Sequence, residues 1–272
     1  MKKPLTGALC ALTLAGATAL ATAAPASAAT VTFAGTVALS NCSGSLVRMP
    51  TSVDTDPGLI LTNGHCLETG MPAAGQVITN QSSTRSFTLL SSTGGSLGTV
   101  RANRVLYSTM TDTDVTLYRL STSYATIKSR YGISPLTMST THPVAGSAIK
   151  VVSGYWKKTY SCNVDGFAYR LKESSWTFKD SVRYTSGCDI IGGTSGSPVV
   201  DVNSGQVVAV NNTINESGES CTLDNPCEVD QNGTVTVRQG IGYAQETYTI
   251  PNCFAPGNVL DLTRAGCVLP RP

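Results

Sequence analysis

Gly192-Gly193-Thr194-Ser195-Gly196-Ser197-Pro198 is the stretch on which the reading of this chain turns. A serine hydroxyl is a weak nucleophile at neutral pH and needs a base and a turn that presents it. Glycines on both sides of Ser195 let the backbone turn tightly and let a carbonyl approach main-chain N–H groups. Amides at Gly193 and Ser195 would then face the oxygen of an attacked carbonyl, and one such donor is worth about 3 kcal/mol of barrier. The plain alternative is a Gly/Ser-rich hairpin loop, so a partner base has to be found elsewhere.

The chain has 2 histidines. His65 ends the run Leu59-Ile60-Leu61-Thr62-Asn63-Gly64-His65-Cys66, at the close of an apolar strand. His142, in Thr141-His142-Pro143, reads as a surface loop residue. Asp114 opens Asp114-Val115-Thr116-Leu117-Tyr118-Arg119-Leu120, and a carboxylate that begins an apolar strand can be buried and can orient an imidazole. Asp112, slightly upstream, reads as a solvated loop carboxylate. His65, Asp114 and Ser195 are thus the candidate base, orienting acid and nucleophile.

Working outward, charged residues make up 13% of the chain, roughly half the usual 25%. Short apolar runs broken by Gly, Asn, Ser or Pro recur from Thr30 onward. Examples are Gly58–Leu61, Ser86–Leu90, Val115–Tyr118, Ala148–Val152, Tyr160–Tyr169, Ser175–Tyr184, Ser197–Val202, Val207–Val210 and Thr234–Val237. Strands at this spacing predict a sandwich or barrel. Helical periodicity is confined to a turn or two near Ser123–Tyr131. The net charge is +2, two positives being Lys2 and Lys3. No basic patch speaks for nucleic acid or anionic lipid. Tyr155-Trp156-Lys157-Lys158 and Trp176–Tyr184 mix aromatics with cations as ordinary barrel surface does. Glu228–Gly233 reads as a hairpin turn, not a calcium loop. Ser147-Ala148-Ile149-Lys150 lacks the companion motifs of penicillin-recognising enzymes.

Met1-Lys2-Lys3, the apolar stretch Leu5–Leu20 and Ala26-Ser27-Ala28 form a signal peptide over residues 1–28, so export is expected and no membrane attachment after cleavage. Cys10 leaves with it. Cys42, Cys66, Cys162, Cys188, Cys221, Cys227, Cys253 and Cys267 remain, an even set that reads as four disulfides in an exported chain. Their number alone permits on the order of 100 pairings. There is no C-x-x-C pair, and histidine is scarce, so neither a metal nor a cofactor is expected. Gly132, Pro135, Pro143 and Gly146 soften the middle of the mature chain and suggest units at 29–130 and 131–250, followed by a C-terminal loop at 251–272.

Cys42–Val47, Leu61–Cys66, Asp114–Leu120 and Gly193–Pro198 together resemble the chymotrypsin superfamily of serine proteases, and the order His, Asp, Ser is that family's. The form Gly-x-Ser-Gly-Ser-Pro is similar to the bacterial glutamyl-endopeptidase branch. The resemblance runs from Val31 to Tyr248. It implies an all-β fold of two six-stranded antiparallel Greek-key barrels with the active site in the cleft between them. His65 and Asp114 would come from the first barrel and Ser195 from the second, with Gly193 and Ser195 as the oxyanion hole. It also implies a Cys42–Cys66 bridge beside His65; proximity in sequence suggests Cys162–Cys188, Cys221–Cys227 and Cys253–Cys267.

Asp189 stands where trypsin carries the acid of its primary pocket, which implies a preference for Arg or Lys. Ile190 and Asn211 match positions where glutamyl endopeptidases place a threonine and a histidine, so a Glu-specific pocket is not expected; Asn211 and Asn212 would line a polar one. Thr194 replaces the Asp with which trypsin-like zymogens capture a freed N-terminus, so that switch is expected to be absent. The resemblance thus implies a secreted, monomeric serine endopeptidase acting on protein or peptide substrates. An esterase using the same acyl chemistry and a non-catalytic binding protein on the same fold are the alternatives.

Overall fold

The computed structural model describes Met1 and residues 28–272, so the expected signal peptide lies almost wholly outside the described residues. Strands β1 (Thr36–Ala38), β2 (Ser43–Arg48), β3 (Pro57–Thr62), β4 (Val77–Ser82), β5 (Ser86–Leu90), β6 (Ser96–Thr109), β7 (Thr111–Asp112) and β8 (Val115–Ser123) make up the first half. Helix α1 (Tyr124–Tyr131) and β9 (Leu136–Thr137) follow. The second half holds β10 (Ala148–Ser153), β11 (Lys158–Glu173), β12 (Trp176–Tyr184), β13 (Pro198–Asp201), β14 (Val207–Ile214), β15 (Cys227–Val229), β16 (Val235–Val237) and β17 (Gly242–Glu246). A short hairpin of β18 (Phe254–Ala255) and β19 (Val259–Leu260) lies near the C-terminus.

In the first half the order β1-β5-β6-β8-β3-β2 closes on itself, because β2 also pairs with β1. In the second the order β11-β10-β13-β14-β17-β12 closes through pairing of β12 with β11. These are a closed six-stranded antiparallel barrel and a second six-stranded ring, the two-barrel fold that the resemblance implies.

Alternation along β2, β3 and β8 explains how the rings meet. Leu46, Ile60, Tyr118 and Leu120 point into the first ring, with Val37 and Phe87. Their neighbours Val47, Leu59, Leu61 and Leu117 point out, onto Val200, Val207 and Val210 of the second ring. Successive residues on a strand face opposite ways, so strands buried on both faces read as unbroken apolar runs. Phe254 and Leu269 of the C-terminal segment pack into that same shared layer.

Ser123 accepts a bond from Thr126 N to cap α1, and Gly132, with φ 70°, ends it. The structure pairs Cys42 with Cys66, Cys162 with Cys188, Cys221 with Cys227 and Cys253 with Cys267. Glu228–Gly233 falls on the β15–β16 hairpin and its turn. No helix among the described residues is long and apolar enough to cross a membrane.

Candidate active site

His65 lies just beyond β3, and Gly64 beside it cannot be replaced in place: a Cβ there would sit 2.1 Å from the Thr109 carbonyl oxygen. That close approach draws the loop onto the end of β6, beside Asp114. Asp114 is fully buried. Its Oδ2 lies 2.7 Å from His65 Nδ1, its Oδ1 accepts the His65 amide at 3.0 Å, and its carbonyl oxygen accepts from Asn63 Nδ2 at 2.9 Å. Two bonds to one residue fix the imidazole and put the proton on Nδ1, leaving Nε2 free to take another. Burial pulls the His65 pKa down, but the charge and hydrogen bond of Asp114, with Glu173 and Asp224 adding, carry it above its ordinary value. From behind, Arg85 donates to the Cys66 carbonyl, to Tyr118 Oη at 3.0 Å and to Asn41 Oδ1 at 2.6 Å.

Ser195 sits on the turn entering β13. Gly193 (φ 83°) and Gly196 (φ 78°) both take the left-handed conformation, which only glycine adopts freely. A Cβ on Gly196 would meet the Ser43 carbonyl oxygen at 2.1 Å. The amides of Thr194, Gly196 and Ser197 donate to Ile191, Asn211 and Thr194 at 3.1, 2.9 and 3.1 Å. Among the described residues no acceptor takes the N–H of Gly193 or Ser195. Ser195 Oγ donates to the Asn212 carbonyl at 3.2 Å.

His65, Asp114 and Ser195 line one cleft, together with Gly192, Thr194 and Ile190. The cavity volume is about 70 Å³. Asn211 and Asn212 border it too, but the Asn211 amide is occupied: it accepts from Tyr184 Oη at 3.0 Å and donates to Thr194 Oγ1 at 3.1 Å. This neutral chain fills the place behind the nucleophile. Among the described residues Asn212 Nδ2 is buried without a partner.

Asp189 departs from expectation: it is exposed and does not line the cleft. Its neighbours Cys188 and Ile190 are each 2% exposed, and the Ile190 amide donates to the Cys188 carbonyl at 2.8 Å, a tight turn about Asp189 that leaves its side chain in solvent. Besides Asp114, the carboxylates that border the cleft are Glu173, Glu216 and Asp224. Glu173 is buried at the tip of the β11–β12 hairpin, where Oε1 accepts the Asp224 amide at 2.8 Å. Burial pushes its carboxyl up to about 7, the Asp224 amide working the other way. Nothing in the sequence marks it, because the hairpin crosses to the first barrel only in three dimensions: Trp176 Nε1 donates to the Pro72 carbonyl at 2.9 Å, and Thr177 pairs with Thr111.

Trp156 and Ser43 escape sequence reasoning for the same reason. Tyr155-Trp156-Lys157 is the turn between β10 and β11 and not plain barrel surface; Trp156 Nε1 donates to the Gly192 carbonyl at 2.7 Å. Ser43 donates its amide to the Ser195 carbonyl at 2.8 Å, while its Oγ meets Ser153 Oγ and the Tyr155 amide, each at 3.1 Å. One residue of β2 thus pins the nucleophile turn to the first barrel. Cys42 and Cys66 flank His65, but as a disulfide they offer no thiolate to a metal.

No curated protein sequence matches the chain. Among solved structures, the active form of the Rv3671c protease from M. tuberculosis is similar, with 14% identity, coverage of 87% of this chain and 82% of that one, and a TM-score of 0.48. The MamO protease domain from Magnetospirillum magneticum shows 15% identity, coverage of 80% and 95%, and a TM-score of 0.49. The Nocardiopsis protease NAPase shows 14% identity, coverage of 78% and 90%, and a TM-score of 0.44. The trypsin-like peptidase domain matches residues 42–210, from the first cysteine of the bridge beside His65 to the strand after the nucleophile turn, and the chain belongs to that family of serine proteases.

Proposed function

We propose that this protein is a secreted, monomeric endopeptidase that cleaves protein or peptide substrates through an acyl-enzyme on Ser195. The observation that carries the reading is the His65–Asp114 pair at 2.7 Å in the same cleft as Ser195. Substrate binding releases Ser195 Oγ from the Asn212 carbonyl. His65 Nε2 takes its proton as the oxygen attacks the scissile carbonyl, and Asp114 stabilises the imidazolium that forms. The free N–H groups of Gly193 and Ser195 receive the oxyanion. His65 then gives its proton to the leaving amine, and water, activated by the same nitrogen, releases the acyl group.

Glu216 and Asp224 on the cleft, with Asp189 outside it, favour substrates that carry Lys or Arg near the cleaved bond. Export is supported by the leader at residues 1–28 and by four disulfides, which persist in oxidising compartments. A peptide-library digest read by mass spectrometry tests activity and preference together. Stoichiometric fluorophosphonate labelling of Ser195 with cleavage of internal peptide bonds is expected. Labelling with turnover of short esters alone would make the protein an esterase, and failure to label would leave a binding protein on a protease fold.

A further inference from the structure

The second histidine is held by partners that the hydrolytic site does not use. His142 follows β9, and the fold brings it against Asp180 on β12 and Glu246 at the end of β17, so it is no free loop residue. Its Nδ1 lies 2.6 Å from the Pro143 carbonyl oxygen. A carbonyl only accepts, so the ring proton sits on Nδ1 and the Nε2 lone pair points the other way. Nε2 is 3.1 Å from Asp180 Oδ2 and 2.9 Å from Glu246 Oε1. Phe167 and Tyr248 pack edge-on against the imidazole, with centroids 4.5 and 5.2 Å away, and hold its plane.

Among the described residues Glu246 Oε1 is buried with no hydrogen-bond partner despite that short distance; its side chain is only 6% exposed. A second proton on the imidazole would serve Asp180, and Glu246 would then need either a proton shared with Asp180 or a cation. The three donor atoms all lie within 4.8 Å of one another. Asp180 has φ 51°, a conformation that Asp and Asn adopt more readily than most residues.

We propose that His142 Nε2, Asp180 Oδ2 and Glu246 Oε1 bind a first-row divalent transition-metal ion, with Zn²⁺ as the reference case. An imidazole with two carboxylates suits Zn²⁺ and its neighbours, whereas Ca²⁺ and Mg²⁺ take oxygen ligands alone. Ligand bonds of about 2.0–2.2 Å place the donor atoms of a tetrahedral ion roughly 3.3 Å apart, so each carboxylate oxygen needs to move from His142 Nε2 by only a few tenths of an ångström. The Pro143 carbonyl supplies the outer partner that fixes the tautomer of a ligating histidine. The His142 and Asp180 side chains are 39% and 50% exposed, which leaves an entry path and room for water as a further ligand. The ion would tie the segment between the barrels to two strands of the second ring. Lys179, next to Asp180, pairs with Asp112, so the tie would extend to the loop that leads into Asp114.

The test uses the purified protein, stripped with a chelator and then equilibrated with Zn²⁺. Atomic emission should find about one equivalent of metal per chain, and Tm should rise by about 5–10 °C at a hundredfold excess over Kd. Ca²⁺ at the same concentration should leave Tm unchanged. His142→Ala and Asp180→Asn should each remove both the equivalent and the Tm rise. Asp180→Asn is the safeguard against misfolding, because Asn tolerates a positive φ and the side chain is half exposed. No bound metal, or an equivalent that survives both substitutions, overturns the proposal. An equivalent lost on His65→Ala instead would move the metal to the hydrolytic cleft and overturn it equally.

Discussion

Asp112 and Asp114 are near neighbours in sequence and meet opposite surroundings. Asp114 is buried and bonded to His65 twice, whereas the Asp112 side chain is 38% exposed and paired with Lys179. Asp114→Asn is therefore expected to lower turnover by about 10⁴, because it favours the wrong imidazole tautomer, while Asp112→Asn changes turnover less than tenfold. Steady-state kinetics on a peptide substrate decide between them, and the reverse pattern would make Asp112 the orienting acid. Glu173 offers a second test. Its carboxyl is pushed up to about 7 in the folded chain from an ordinary value of 4.5. Between those values the folded state holds the extra proton, so stability declines as pH rises from about 4.5 to 7. Glu173→Gln removes the buried charge and should gain about 3 kcal/mol over the parent at pH 8, at 1.36 kcal/mol per pKa unit, and far less at pH 4. Urea unfolding at both pH values measures it; an equal difference at each would refute the assignment. The acid limb of kcat/KM should also move to lower pH, because Glu173 helps raise the His65 pKa.

The turn before β13 is where an element depends most on single atoms. Gly196→Ala would set a Cβ 2.1 Å from the Ser43 carbonyl oxygen, in a residue already at φ 78°. A loss of about 2–4 kcal/mol and of fluorophosphonate labelling is expected, within the range for strain and overpacking. Gly187→Ala, with nothing within 4 Å and no positive φ, should change neither. Thermal unfolding of the pair checks this, and equal Tm values would show that the turn yields where the geometry says it cannot. Elements were unevenly legible. β3 and β14 announce themselves as Leu59-Ile60-Leu61 and Val207–Val210 because both faces are buried. β6, at 14 residues the longest strand of its barrel, does not. Its first half alternates exposed and buried positions around Gly98, Arg101 and Arg104, and a strand with one wet face has too few large apolar residues to stand out. α1 was visible as no more than a turn or two, since only Tyr124 and Ile127 of it are buried, with Tyr131 partly so.

At the scale of the molecule, the question is what switches the site on. The Ala29 amide donates to the Val202 carbonyl at 2.8 Å, past the far end of β13 from Ser195. Behind the nucleophile lie Thr194, Asn211 and Tyr184, a hydrogen-bonded chain with no carboxylate to receive an ammonium. An unpaired charge buried there would cost several kcal/mol. Residues 29–272 carrying one or two extra N-terminal residues are therefore expected to label fully with a fluorophosphonate. Labelling that appears only once the extension is trimmed would place the N-terminus in the site after all.

The amino-acid sequence by itself determined the barrel class and the three residues proposed for catalysis. Alternating apolar runs dictate strands, and Gly-x-Ser-Gly-Ser-Pro with His65 and Asp114 in that order demands a nucleophile turn and a base. These are local signals, each carried by adjacent residues. Only the tertiary structure decided which carboxylates face the cleft, that Ser43 and Trp156 brace the nucleophile turn, and that His142 meets Asp180 and Glu246. Those contacts join residues as far apart in sequence as Ser43 and Ser195. They exist because two closed rings share one buried layer, and the packing of that layer is set by no single stretch of the chain.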